Sequence, residues 1–258
     1  MSEPASALRL TGSLDGPPGA PVLVLGNSLG TSRMVWDRQV PGLAGRFRLL
    51  RYELPGHGGS ASPPGPYSIG ALGAGVLTLL DSYGVESARY CGISLGGMIG
   101  MWLAARAPSR ITALGLVCTS AYLPPAEGWL ARAAQVQASG LASIAAQSGA
   151  RWFTAGFAER EPGVVASFLA ELERTDPAGY AGCCEAIAVM DLRADLVSIA
   201  APTLVISGGD DPATPPSHGA AIAAAISGAR HLVIDGAAHL ANVSCPDEVS
   251  AALRAHLG

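Results

Sequence analysis

The chain has 258 residues, 49% of them hydrophobic and 14% charged, with a formal net charge of −4. At this length one core can bury roughly 73% of the surface the unfolded chain exposes, without disulfide or metal staples, and the composition excludes intrinsic disorder. Every one of the 16 basic residues is arginine, against 20 acidic residues; this excludes lysine Schiff-base and P-loop chemistry and leaves no basic surplus for a nucleic-acid partner.

The N-terminal MSEPASALRL carries an acid and a proline where a secretion signal needs basic and then apolar residues. The longest apolar stretch, 90–105, holds four glycines and reads as strand, turn and helix rather than a membrane span. Five cysteines without a CxxC pattern point to free thiols in a reducing cytosol, so a cytoplasmic protein with no membrane partner is expected. Short β-branched runs at 22–25, 47–52, 88–91, 111–117, 203–206 and 231–234 alternate with helix-period segments, the pattern of a largely parallel sheet. Ile69, Leu72, Val76, Leu80 and Tyr83 share one helix face that Gly84 can terminate, and Pro246 opens a last helix. Between 122 and 197 there is no convincing strand, only helix-like segments rich in Ala, Leu, Gln and Glu. Such a length is too great for a crossover, so a helical cap at 122–197 is expected, inserted into a core made of 1–121 and 198–258. Consecutive core helices are the alternative.

Gly92-Ile93-Ser94-Leu95-Gly96 follows one of these strands and precedes a helical run. Strand, GxSxG, helix is the context of a nucleophile elbow, in which serine occupies a strained turn and the glycines let strand and helix approach. A serine nucleophile needs a base and the base an orienting acid. His239 lies beyond the last strand, and Asp210 and Asp211 lie beyond the one before it. The order Ser, Asp, His is that of the α/β-hydrolase fold. Among the other histidines, His231 and His256 read as structural or solvated and His218 as solvated, while Gly56-His57-Gly58-Gly59 reads as a tight loop beside the elbow. Two backbone N–H groups would stabilise an oxyanion, from Leu95 and from Leu29 in the loop Gly26-Asn27-Ser28-Leu29-Gly30.

Longer stretches resemble the 3-oxoadipate enol-lactonases, an α/β-hydrolase family of the β-ketoadipate pathway of aromatic degradation. They include Gly26-Asn27-Ser28-Leu29-Gly30-Thr31, Gly65-Pro66-Tyr67-Ser68-Ile69 and Cys91-Gly92-Ile93-Ser94-Leu95-Gly96-Gly97. In the expected cap they include Arg151-Trp152-Phe153-Thr154 and Thr175-Asp176-Pro177-Ala178-Gly179-Tyr180, and beyond it Asp211-Pro212-Ala213-Thr214-Pro215-Pro216. The chain departs from the family at Glu53-Leu54-Pro55, where relatives carry Asp-Thr-Arg, and so lacks an arginine expected near the pocket mouth.

The resemblance implies an α/β-hydrolase fold, a mostly parallel sheet with helices on both faces and an inserted cap. It places the acid at Asp211, before Pro212, and implies a cofactor-free serine hydrolase acting on a small lactone. A general esterase, perhydrolase or carbon–carbon bond hydrolase would keep the triad and change the substrate; a ligand receptor would keep only the fold. Ser28, Trp129, Arg132 and Trp152 are the candidate substrate contacts, since Trp129 and Arg132 share a helix face and could cover the ring and bind its carboxylate. Arg151 and Arg33 are competing cations.

Overall fold

A computed structural model describes residues 8–258; the first seven, on which part of the secretion-signal reading rests, lie outside the described residues. Among the described residues seven strands form one sheet: β1 (Thr11–Asp15), β2 (Val22–Gly26), β3 (Arg48–Glu53), β4 (Ala88–Ile93), β5 (Ile111–Val117), β6 (Thr203–Gly208) and β7 (Arg230–Ile234). Their order is β1-β3-β2-β4-β5-β6-β7, with β1 antiparallel to β3 and all other neighbours parallel. Interior strands such as β2, VLVLG, are buried throughout because both sheet faces are covered, which is why they read as unbroken apolar runs. All six expected strands are present, 111–117 unchanged and the others with ends moved by one or two residues. The seventh, β1, has no counterpart in the sequence reading: TGSLD is half-exposed and pairs on one side only, so it lacks the apolar run of an interior strand.

The helices are α1 (Val40–Leu43), α2 (Ile69–Ser82), α3 (Leu95–Arg106), α4 (Ala126–Ser139), α5 (Ala142–Trp152), α6 (Ala155–Arg160), α7 (Pro162–Glu173), α8 (Pro177–Ala188), α9 (Pro216–Ala225), α10 (Ala241–Ser244) and α11 (Pro246–Leu257). A Cβ at Gly100 of α3 would meet Leu114, whereas a Cβ at the next strand residue, Gly115, would meet Leu253 of α11. Successive strand residues face opposite ways, so α3 and α11 cover opposite faces of the sheet. α2 starts at Ser68, whose hydroxyl accepts the Ala71 N–H, and buries Ile69, Leu72, Val76 and Leu80. Tyr83 does not join that face. It is the C-cap, 39% exposed, and its hydroxyl donates to the Gly12 carbonyl of β1.

Helices α4 to α8 follow one another between β5 and β6, and the residues flanking them, Tyr122 and Asp191, form an isolated antiparallel bridge. The segment leaves and rejoins the core at one place, where the Leu192 N–H donates to the Ala121 carbonyl at 2.8 Å. α8 then packs closely on the core: a Cβ at Gly179 would lie 2.4 Å from the Pro55 carbonyl oxygen. Asp176 explains the Thr-Asp-Pro sequence before this helix, because its carboxylate caps α8 at Ala178 N while Pro177 takes the first turn. No helix of the described residues is long and apolar enough to cross a membrane.

Candidate active site

The chain reverses direction in the sheet beside β2: β3 lies on one side of it and β4 on the other. Ligands of open α/β sheets bind at such a switch point, outside the carboxyl ends of the strands. Ser94 follows β4 there, with φ 55°, a left-handed conformation that costs about 1–3 kcal/mol in a non-glycine residue. The glycines around it are required by contact. A Cβ at Gly92 would lie 2.2 Å from Gly96, and a Cβ at Gly96 would lie 2.4 Å from Gly26. The turn is held from outside by the Ser94 N–H on the Val117 carbonyl at 2.9 Å and by the Thr119 hydroxyl on the Ser94 carbonyl at 2.7 Å.

His239, in the loop after β7, puts Nε2 2.9 Å from the Ser94 hydroxyl and Nδ1 2.8 Å from an Asp211 carboxylate oxygen. All three side chains are buried. Asp211 also accepts the N–H groups of Ala213 and Thr214, at 2.8 and 3.0 Å, and the Thr214 hydroxyl at 2.7 Å. Burial raises its pKa, but His239 beside it and the hydrogen bonds from His239 and Thr214 outweigh burial and hold the carboxyl down to about 2. The acid is therefore ionised at neutral pH and orients the imidazole with Nδ1–H toward it, leaving Nε2 as acceptor for the serine proton. Its neighbour Asp210 is exposed.

Leu95 is the first residue of α3, so its N–H is one of those with no partner inside the helix. Ser28 and Leu29 line the same cleft as Ser94 and His239. The cleft is small, about 250 Å³, and is also lined by Trp129, Arg132, Arg151, Trp152 and Tyr180 from α4, α5 and α8. Trp129 and Arg132 do share a face of α4, and the guanidinium lies over the indole at 4.9 Å rather than beside it. Arg151 lines the cleft as well. Among the described residues neither arginine has a carboxylate within ion-pair distance. Burial and the nearby Arg132 charge both lower the Arg151 pKa, the expected response of two cations facing one cavity without an anion.

Arg33 is not in the cleft. It turns away to Glu53 and Ser13, in a wider polar recess of about 870 Å³ that contains none of the three catalytic candidates. The Glu53-Leu54-Pro55 segment also lines no part of the cleft. It runs behind the Leu29 loop, where the Glu53 carboxylate accepts the Asn27 side-chain amide and the Arg33 N–H. His218 is half-buried rather than solvated, in a pocket beside Tyr122 and Ile222, and His231 bonds the Ser207 hydroxyl at 2.9 Å. Six cleft residues escaped the sequence reading: Leu123, Pro124, Ser148, Tyr180, Ala213 and Thr214. An Asp followed by Pro and, three places on, Thr is an Asx-turn signature that could have flagged Thr214 as a partner of the acid; Tyr180 is brought in only by the fold of α8.

A family model described as alpha/beta hydrolase fold matches residues 21–244. A 3-oxoadipate enol-lactonase of Acinetobacter baylyi is 38% identical over 91% of this chain and 88% of its own length. Among solved structures, the enol-lactonase from Burkholderia xenovorans is 41% identical with a TM-score of 0.94, covering 96% of both chains. A hydrolase from Pseudomonas aeruginosa is 46% identical with a TM-score of 0.93, covering 96% of this chain and 94% of that one. Fold, elbow and relatives agree: the chain belongs to the α/β-hydrolase fold family and, within it, groups with the 3-oxoadipate enol-lactonases.

Proposed function

We propose that this chain opens the lactone ring of 3-oxoadipate enol-lactone in the cytoplasm, giving 3-oxoadipate, with Ser94 as nucleophile, His239 as base and Asp211 as the orienting acid. The observation that carries this reading is the pairing of that triad with two guanidiniums, Arg132 and Arg151, unmatched by any carboxylate in a cleft the size of a small molecule. A neutral ester gives such a cleft no reason to hold two cations. A lactone bearing a free carboxylate does, and the dicarboxylate product gives it a second.

The steps use this chain's side chains and backbone N–H groups together with water. Ser94 Oγ attacks the ring carbonyl as its proton passes to His239 Nε2, and the N–H groups of Leu29 and Leu95 bind the oxyanion. The ring carbon–oxygen bond breaks, and the enolate oxygen or its conjugated carbon takes the proton back from the imidazolium. Tautomerisation to the ketone then makes ring opening hard to reverse. Water, deprotonated by His239, attacks the acyl-serine; collapse of that second intermediate frees the carboxylate, and the imidazolium proton returns to Ser94. The segment 122–197 serves as a cap, with Trp129 and Trp152 covering the ring and Ser28 at the cleft floor.

The test generates enol-lactone in solution and follows the loss of its ultraviolet absorbance. Rapid loss with the native protein and none above background with Ser94→Ala is expected. No loss with native protein that nonetheless turns over simple aryl esters would move the chain to the general esterases.

A further inference from the structure

One polar contact of the Leu29 loop that the proposed reaction does not use runs to a buried histidine behind it. We propose that His57 is a positioning residue for the oxyanion donor, its Nε2 accepting the Gly30 N–H and so fixing the backbone on which the Leu29 N–H is carried. The inference rests on the reading of Leu29 as an oxyanion donor and assigns the second, hidden half of that device.

The Leu29 N–H belongs to the Ser28–Leu29 peptide, and its direction changes only if that plane turns. On the Ser28 side the plane is held twice, because the Ser28 carbonyl accepts both the Thr31 N–H at 3.1 Å and the Thr31 hydroxyl at 3.0 Å. On the other side of the Leu29 Cα, the Leu29–Gly30 plane has one tether, the Gly30 N–H on His57 Nε2 at 3.0 Å. With both flanking planes tied, Leu29 keeps its conformation without a ligand present, the preorganisation that makes an oxyanion donor effective. Gly30 itself sits at φ 80° and a Cβ there would strike Leu172, so the turn cannot be stiffened by a side chain of its own.

His57 can accept only in one protonation state. Its Nδ1 lies 2.8 Å from the Pro55 carbonyl, which demands a proton there, and Nε2 must then be bare. Its surroundings favour that neutral tautomer. The side chain is fully buried, stacked on the Tyr180 ring with centroids 6.3 Å apart, and burial lowers its pKa to about 4, against opposing effects of the Pro55 carbonyl and Glu171. Thus Pro55, in the segment that departs from the family, contributes a carbonyl that sets the tautomer, and the side chain at that position is not used.

Two substitutions test the role. His57→Phe keeps a ring against Tyr180 but leaves the Gly30 N–H without an acceptor; His57→Gln places a carbonyl oxygen near the Nε2 position. Measured on enol-lactone and on a p-nitrophenyl ester, His57→Phe should lower kcat by about 10–100-fold with KM within about threefold, somewhat less than deletion of an oxyanion donor. His57→Gln should recover most of that loss. A boronic acid that forms an oxyanion on Ser94 should bind His57→Phe more weakly by the same factor as kcat falls, while a simple dicarboxylate should bind it as it binds the native protein. The inference is overturned if His57→Phe keeps native kcat, if His57→Gln is no better than His57→Phe, or if boronate and dicarboxylate affinities fall together, as a general loosening of the cleft would produce. Ser94→Ala separates the two levels: should it retain activity, the serine mechanism itself fails, whereas an inactive Ser94→Ala beside a fully active His57→Phe removes only the role of His57.

Discussion

Asp210 and Asp211 are adjacent and chemically identical, and what separates them is a loop only a few residues long. Asp211 is turned inward against His239 and satisfied by Ala213 and Thr214; Asp210 is exposed. Residue chemistry alone left both open, because which of two neighbours points inward depends on backbone angles that no spacing rule specifies. Asp211→Asn should lower kcat by roughly 10⁴ by favouring the wrong imidazole tautomer, and Asp210→Asn by far less, as steady-state rates would show. A reversed ranking would move the acid. Ser94→Ala should abolish several orders of magnitude of turnover while dicarboxylate binding, read by calorimetry, stays near native, since the cations and backbone donors remain. The serine itself was legible from strand, GxSxG and helix, because its strained turn admits so few residue types on either side.

At the level of elements, the elbow and the Leu29 loop are two backbone devices packed on each other, and small changes in them should have large effects. Gly96→Ala drives a Cβ into Gly26, the residue that ends β2, and should cost at least the 1–3 kcal/mol typical of overpacking, read from urea unfolding. Gly149→Ala, inside α5 with only ordinary contacts beyond 3.4 Å, should instead raise stability by up to about 1 kcal/mol. The residues behind the Leu29 loop carry opposite pH dependences. His57 has its pKa lowered to about 4, so between there and its unfolded value near 6.5 the unfolded chain binds more protons, and its contribution falls as pH drops through that window. Glu53 is raised to about 7 by burial, against hydrogen bonding and charge from Arg33, so its contribution is full below its unfolded value near 4.5 and is lost as pH rises through 7. The two offset each other between about pH 4.5 and 6.5. Glu53→Gln should therefore give a Tm that rises with pH over this range, and His57→Gln a Tm that falls. If neither variant changes the slope, those two side chains do not titrate as their burial requires. The tight loop at His57 is legible in the sequence, but its contact is not: the partner Gly30 is 27 residues away and is brought near by the β2–β3 pairing.

Over the whole molecule, alternation of strand and helix carried most of the architecture into the sequence, and the interval from 122 to 197 stood out because it broke that alternation. The edge strand β1 did not, since pairing on one side leaves a strand without an apolar signature. Substrate contacts were the least legible part. Arg132 and Trp129 share a helix and could be paired by spacing, but Arg151 comes from the next helix, Tyr180 from α8, and their convergence is tertiary. That convergence places two cations, with no carboxylate partner among the described residues, at one small cleft in a chain of net charge −4, and the substrate assignment depends on it. The most direct measurement compares kcat/KM for enol-lactone with that for a neutral lactone of the same ring, in the native protein and in Arg132→Met and Arg151→Met. Loss of one charge-assisted bond worth about 1.5–3 kcal/mol corresponds to roughly 10–150-fold, so each substitution should raise KM for the carboxylate-bearing lactone by that order and leave the neutral lactone within about threefold. Equal losses on both lactones, or no preference of the native protein for the charged one, would contradict an enzyme built to open an anionic lactone.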